Sequence, residues 1–393
     1  MSISPIKVGL IGSGAISCTY LDTLVNTFDI VEVVGCSDLL PQRSASRAET
    51  FGVRQMTNEQ IFEDPEIQIV VNTTYPISHY EVTRGALLAG KHVHSEKMMA
   101  ENFDRAKELV ELAEAKGLRI GMAPDTFLGG GLQTCRKLID SGMIGQPVSA
   151  QAMVVRGYHW TSPNDGALPP FVLNEGGTIP FDMGGYYIHA LVHLLGPVRR
   201  VAGFARPYEK KAFSHPMHPR YGQPLNLTPP TLLQASLEFD SGVYGGLSVV
   251  GECFGETPRL EIYGTEGALI CPDPNTYGGP VLLRTKNSDR FYEIPLTHGY
   301  GAPKRASLDK GGEIAAWAGS YRGVGVADMA WAIRNNRPHR CSALLGLHAL
   351  EIIHGALLSA REDRVYTMTT HPAQPAPLPS GFGGADAEAC LDT

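Results

Sequence analysis

At 393 residues, 43% of them hydrophobic and 19% charged, the chain has globular composition and the length for two domains. A net charge of −7 without clustered Lys and Arg argues against a nucleic-acid-binding face, and no apolar run reaches the roughly 18 residues of a membrane span. The seven cysteines form no CxxC pair, which argues against a disulfide framework or a cysteine zinc site; with no apolar signal-peptide core after Met1, a cytoplasmic protein with reduced thiols is expected.

Residues 7–11, Lys-Val-Gly-Leu-Ile, are a near-continuous apolar run, as in a strand covered on both faces. They lead into Gly12-Ser13-Gly14-Ala15-Ile16-Ser17, a G-x-G-x-x-S turn, and a helix over 15–28. Glycines at such a turn let the backbone approach a pyrophosphate, and the first helical amides face the anion. The second strand, 31–38, ends in Asp38. A carboxylate there accepts hydrogen bonds from the ribose hydroxyls of NAD and repels a 2′-phosphate; Arg43 is the one nearby base, so NADP is disfavoured. Capping of the next helix, 42–51, is the plain alternative for Asp38. A third strand from 67 ends in Thr73-Thr74-Tyr75, which puts two hydroxyls and a ring beside the cofactor path. His79, in the first turn of a helix over 77–89, is a further cofactor candidate or a capping histidine.

The stretch His92-Val93-His94-Ser95-Glu96-Lys97-Met98 reads as a strand with Glu96 and Lys97 at its carboxyl end, where α/β sheets bind ligands. Both are expected at the cofactor. The Lys97 ammonium is placed to orient a substrate hydroxyl; a weak surface ion pair is the alternative. A helix over 102–116 and a strand over 119–125 complete five or six βα alternations, the pattern of a doubly wound parallel sheet. After Leu128-Gly129-Gly130-Gly131 the pattern changes. Segments 148–158, 200–208, 231–239, 243–252, 259–263, 281–285 and 291–296 read as strands joined by turns. They predict a large open, mostly antiparallel sheet with helices on one face, closed by helices over 319–335 and 342–361. The expected division is a Rossmann domain at 1–126, an α+β domain at 127–370 and a mobile Pro, Gly and Ala-rich tail at 371–393.

In the second domain Asp182, Tyr186, His189 and His193 step by 4, 3 and 4 residues along an expected helix ending at Gly196, which places them on one face. Three readings are open. In the first the stripe is the wall of a polar substrate site, where Tyr186 or His189 takes a proton; a tyrosine needs a nearby cation for this, and Lys97 is available. In the second His189 and His193 bind a metal with Asp182, which is disfavoured because no Glu follows His189 as in a metalloprotease helix. In the third they are satisfied polar residues in a domain interface.

Gly12-Ser13-Gly14, Glu96-Lys97, Gly176-Gly177 followed by Asp182-x-Gly184, Gly196 and the strand-turn Glu261–Gly267 together resemble the Gfo/Idh/MocA family of NAD(P)-dependent oxidoreductases over about residues 5–370. The resemblance implies a Rossmann domain plus an open-sheet α/β domain, and oxidation or reduction of a secondary hydroxyl or carbonyl on a sugar, inositol or related polyol. It implies that Lys97 is the catalytic lysine and Asp182 the substrate-site aspartate. Two positions depart from the family: Met98 stands where proline usually follows the Glu-Lys pair, and Tyr186 stands where histidine is frequent. Some members carry tyrosine there as the acid–base. His189 occupies a place where many have aspartate.

The resulting expectation is an NAD-dependent dehydrogenase of a sugar, glycoside or polyol, without a metal. Asp125, Tyr158, His159 and Trp160 join Asp182 and His189 as candidates for the substrate pocket, with ordinary packing the alternative for the first four. A non-catalytic NAD-binding sensor, and a cofactor-retaining sugar–sugar oxidoreductase or eliminase, are the competing functions. The open sheet calls for a covering partner, so a homodimer or homotetramer is expected.

Overall fold

Short apolar runs alternating with amphipathic helices leave the chain one economical arrangement, a parallel sheet covered on both faces. In the computed structural model, which describes residues 4–156, 176–207, 212–213, 215–225, 229–251, 253, 258–382 and 384–393, that arrangement is a six-stranded sheet. Its strands are β1 (Ile6–Ile11), β2 (Val31–Ser37), β3 (Arg54–Gln55), β4 (Ile67–Asn72), β5 (His92–Ser95) and β6 (Ile120–Met122), in the order β3-β2-β1-β4-β5-β6. Every pairing is parallel. Helices α1 (Ala15–Asn26), α2 (Pro41–Phe51), α3 (Asn58–Glu63), α4 (Pro76–Leu88) and α5 (Phe103–Ala115) connect the strands. The order reverses between β1 and β4, the place where such sheets open a crevice for a ligand.

Helix α6 (Gly130–Asp140) begins the second part. Its nine strands are β7 (Pro147–Val155), β8 (Val198–Pro207), β9 (Pro230–Phe239), β10 (Tyr244–Val250), β11 (Arg259–Gly264), β12 (Gly267–Ile270), β13 (Val281–Thr285), β14 (Tyr292–Ile294) and β15 (Tyr366–Thr367). They lie in the order β14-β13-β12-β11-β7-β10-β9-β8-β15, antiparallel except for β7 beside β10. Helices α7 (Ile179–Asp182), α8 (Gly184–Leu195), α9 (Arg305–Lys310), α10 (Gly312–Ala316), α11 (Val324–Arg334) and α12 (Ala343–Glu362) complete it. By length and composition α12 passes for a membrane span, but two thirds of its most apolar window is buried, as suits the core helix between the two sheets.

Two expectations change. The single helix expected from Asp182 onward is broken at Met183 into α7 and α8. The tail expected to be mobile is docked. Leu378, Cys390 and Leu391 are buried, and Gly384–Asp392 forms a 3-10 helix. The Glu388 carboxylate accepts from the backbone N–H groups of Asp29 (2.8 Å) and Ile30 (3.0 Å), between α1 and β2. Arg136 and Arg340 donate to the carbonyls of Pro375 (3.1 Å) and Ala376 (3.2 Å). A Pro-rich segment has no period to betray it, but its free carbonyls suit arginines on neighbouring elements.

Candidate functional site

The carboxyl ends of β1, β2, β4 and β5 open onto a cleft of about 910 Å³. Gly12 forms its floor with φ of 101°, and a Cβ there would lie 2.6 Å from the Thr73 carbonyl carbon and the Thr74 nitrogen. That cradle admits glycine alone. No side chain caps the N-terminus of α1, so the amides beyond Gly14 are turned to the cleft without a protein partner of that kind. At the far wall Asp38 accepts from the Ser13 amide (2.7 Å, Oδ2) and the Leu40 amide (2.8 Å, Oδ1). Arg43, Thr73, Thr74, Tyr75 and Ile16 also line the cleft. Leu39, Leu40 and Ile77 add an exposed apolar rim that the sequence did not single out. A cradle closed to side chains, a helix N-terminus and a carboxylate at the second strand fit a dinucleotide.

At the inner end of this cleft two halves of the chain meet. Lys97 donates from Nζ to Asp182 Oδ1 (2.6 Å) and to the Asp182 carbonyl (3.0 Å), and its Nζ lies 5.1 Å from the Tyr186 ring centroid. Burial works against the charge on Lys97, but Asp182, Tyr186 and Glu96 outweigh it and hold the ammonium firmly protonated. Glu96 is buried, accepts from Tyr20 Oη (2.9 Å), and is kept ionised against its burial by Arg322 and Lys97. The Lys97–Met98 peptide bond is cis.

Arg322, Tyr20 and Asn275 were not singled out from sequence. Arg322 Nη2 donates to Tyr186 Oη (2.6 Å) and Asn275 Oδ1 (3.1 Å). The sequence placed Arg322 inside a helix over 319–335, whereas α11 starts at Val324 after Gly323, which has φ of 103°.

Several expected site residues lie elsewhere. His189 and His193 do not line the cleft; both rings pack on Phe127. His189 Nδ1 donates to the Gly185 carbonyl (2.8 Å). Asp125 is fully buried behind the cleft, accepting from Tyr277 Oη and from the amides of Gly323 (2.9 Å) and Gly325 (3.0 Å). With both oxygens engaged it anchors the start of α11 and has no route to substrate. His79 is buried between the Met98 carbonyl (2.6 Å from Nδ1) and the Thr74 carbonyl (3.0 Å from Nε2), so it braces two cleft walls without facing the cleft. Ser13 is buried against β2 and contributes its amide to Asp38. Tyr158, His159 and Trp160 lie outside the described residues.

The buried imidazoles predict a pH response. Burial pushes His189 and His348 down to about 4. His348 is fixed as neutral, since Nε2 accepts from the Val198 amide (3.0 Å) while Nδ1 faces Thr370 Oγ1 (2.7 Å). Unfolded histidine takes up its proton near pH 6.5, so between there and about 4 the unfolded chain holds more protons and folding weakens as pH falls. Each histidine contributes up to about 1.4 kcal/mol per pH unit. Urea unfolding should show clearly lower stability at pH 5 than at pH 7; equal stabilities would mean that water reaches these rings.

The family description "Oxidoreductase family, NAD-binding Rossmann fold" matches residues 6–123, and "GFO/IDH/MocA C-terminal domain" matches residues 132–270. The chain is 24% identical over 376 residues to scyllo-inositol 2-dehydrogenase (NADP(+)) of Bacillus subtilis, covering 92% of this chain and 96% of that protein. A 32% identical match to an uncharacterised oxidoreductase of Schizosaccharomyces pombe covers 38% of this chain and 41% of that one. Among solved structures, an NAD-binding oxidoreductase from Klebsiella pneumoniae superposes with a TM-score of 0.76 at 19% identity, covering 93% of this chain and all of that one.

Proposed function

This chain belongs to the Gfo/Idh/MocA family of NAD-binding oxidoreductases, and on that footing we propose that it moves hydride between nicotinamide and a secondary alcohol or ketone carbon of a sugar, inositol or related polyol. The observation that carries the reading is the convergence of Lys97, Asp182 and Tyr186 at the inner end of a dinucleotide cleft. When bound, the cofactor supplies the hydride acceptor or donor. The chain's own residues manage the oxygen and its proton. Lys97 donates to the reacting oxygen and holds it. Asp182 orients Lys97 and offers its second oxygen to a neighbouring hydroxyl. In oxidation the hydroxyl proton passes to the Tyr186 oxygen, which has first given its own proton to solvent, while the C–H pair leaves as hydride; in reduction the phenol gives its proton to the carbonyl oxygen as hydride arrives. Tyr186 is preferred to His189 because it lines the cleft and His189 does not.

Asp38 makes NAD the favoured cofactor. Arg43, on the same rim, is the one cleft-lining cation beside it among the described residues, and the Bacillus subtilis relative carries NADP(+) in its name. The test is a panel of inositols, aldoses and ketoses with each cofactor. Turnover of at least one polyol, faster with NAD, is expected. Tight cofactor binding without turnover of any of them would favour a sensor, and a redox change in cofactor that never leaves the protein would favour a cofactor-retaining oxidoreductase.

The face of the nine-stranded sheet that carries Phe204, 79% exposed, with Tyr244 and Tyr263 in register is suited to a second copy of the chain. A homodimer or homotetramer through it is expected by sedimentation at micromolar concentration; a monomer would contradict this.

A further inference from the structure

We propose that Arg322 is a positioning residue for proton transfer: it fixes the Tyr186 hydroxyl and ties it electrostatically to Glu96. The inference rests on the acid–base role given to Tyr186 above.

Arg322 leads into α11 and is 6% exposed. Its Nη2 lies 2.6 Å from Tyr186 Oη and 3.1 Å from Asn275 Oδ1, and its Nη1 lies 3.6 Å from Glu96 Oε1. A guanidinium only donates, so the phenol oxygen must accept from it. The phenol's own O–H is then left to point elsewhere, and the cleft that Tyr186 lines is where a substrate oxygen would receive it. The guanidinium carbon sits 5.3 Å from the Tyr186 ring centroid and Lys97 Nζ sits 5.1 Å from it. One buried and one half-buried cation thus flank one phenol. Charge that develops on its oxygen as a proton leaves is met by fixed positive charge without reorganisation.

The planar fork explains why arginine stands here. One Nη serves the phenol and the loop amide while the other faces a carboxylate, which a lysine cannot reproduce. Arg322 is itself immobilised: Gly323, the next residue, gives its amide to Asp125, which also holds the Tyr277 hydroxyl. Asp125, expected from sequence to touch substrate, therefore acts at one remove. Nε and Nη1 of Arg322 make no hydrogen bond among the described residues. A guanidinium serving only stability would leave fewer buried donors unused.

The experiment compares Arg322→Lys, Tyr186→Phe and the double variant, with Asn275→Asp as a milder perturbation should Arg322→Lys not fold. For Arg322→Lys, kcat for polyol oxidation should fall about 10- to 100-fold, with KM and cofactor affinity within about threefold. The acid limb of the kcat–pH profile should move up, because a lysine cannot reach the Tyr186 hydroxyl and face Glu96 at once and so leaves positive charge farther from the oxygen that exchanges the proton. In the Tyr186→Phe background the same change should cost less than about threefold, since the hydroxyl it positions is gone. Asn275→Asp draws the guanidinium towards a new carboxylate and should move the limb the same way by less. An unshifted profile with Arg322→Lys, an unshifted profile with Asn275→Asp where the lysine variant does not fold, or losses that multiply fully in the double variant, would overturn the inference. If Tyr186→Phe itself keeps full activity, it is the acid–base assignment that fails.

Discussion

Lys97→Met should lower kcat/KM about a thousandfold or more while leaving cofactor affinity within a few-fold. The substitution keeps most of the length of the side chain and removes its charge. Lys97 is held protonated by Asp182, Tyr186 and Glu96 against the cost of burial, which suits a donor rather than a base. In the proposed function it is a fixed donor, aimed by Asp182 through two contacts of 2.6 and 3.0 Å. An ammonium held that way stabilises the alkoxide-like oxygen of the transition state more than the hydroxyl of the ground state, so its loss appears in kcat. The proposed cofactor contacts at Gly12, α1 and Asp38 are untouched, so cofactor binding should be largely spared. Steady-state kinetics and cofactor titration on one preparation check both halves; full activity would remove Lys97 from the mechanism.

The second large effect separates the two candidates for the proton. Tyr186→Phe should lower kcat by about 10²- to 10⁴-fold, whereas His189→Gln should stay within a few-fold of the parent, as general acid–base groups and packed core residues respectively do. Tyr186 lines the cleft, with Lys97 on one side and Arg322 on the other. His189 is spent on the Gly185 carbonyl and the Phe127 ring. A pH–rate limb between 6 and 7 that disappears in His189→Gln would reverse the assignment.

Much of this site can be read from the chain. The glycine turn, Asp38 and the Glu96-Lys97 pair sit where local pattern fixes them, at strand ends a few residues from a helix start. Asp182 and Tyr186 could be picked out by helical spacing, but His189 and His193 share that spacing. Every residue of α8 is buried, so periodicity cannot say which part of its circumference meets the cleft. Arg322 was hidden for another reason. It lies 136 residues from Tyr186, in a turn that the expected helix over 319–335 ran across, although Gly323 with its positive φ ends the turn before Val324. Asp125 was expected in the substrate pocket, but the chain cannot tell that its partners are the amides at the start of a helix some 200 residues later. The docked tail follows the same rule, since what holds it is arginines belonging to other elements.

Asp38 sets a limit on redesign. Both of its oxygens already brace backbone amides, one in the glycine turn and one at the start of α2. A protein engineer who wants the enzyme to accept a 2′-phosphorylated cofactor would ordinarily shorten or neutralise this side chain. Here glycine or alanine would also leave the Ser13 amide without its acceptor and loosen the glycine turn proposed to hold the pyrophosphate. Serine or asparagine, which remove the charge and keep an acceptor, are the sounder choices, with a second base introduced at the exposed Leu39.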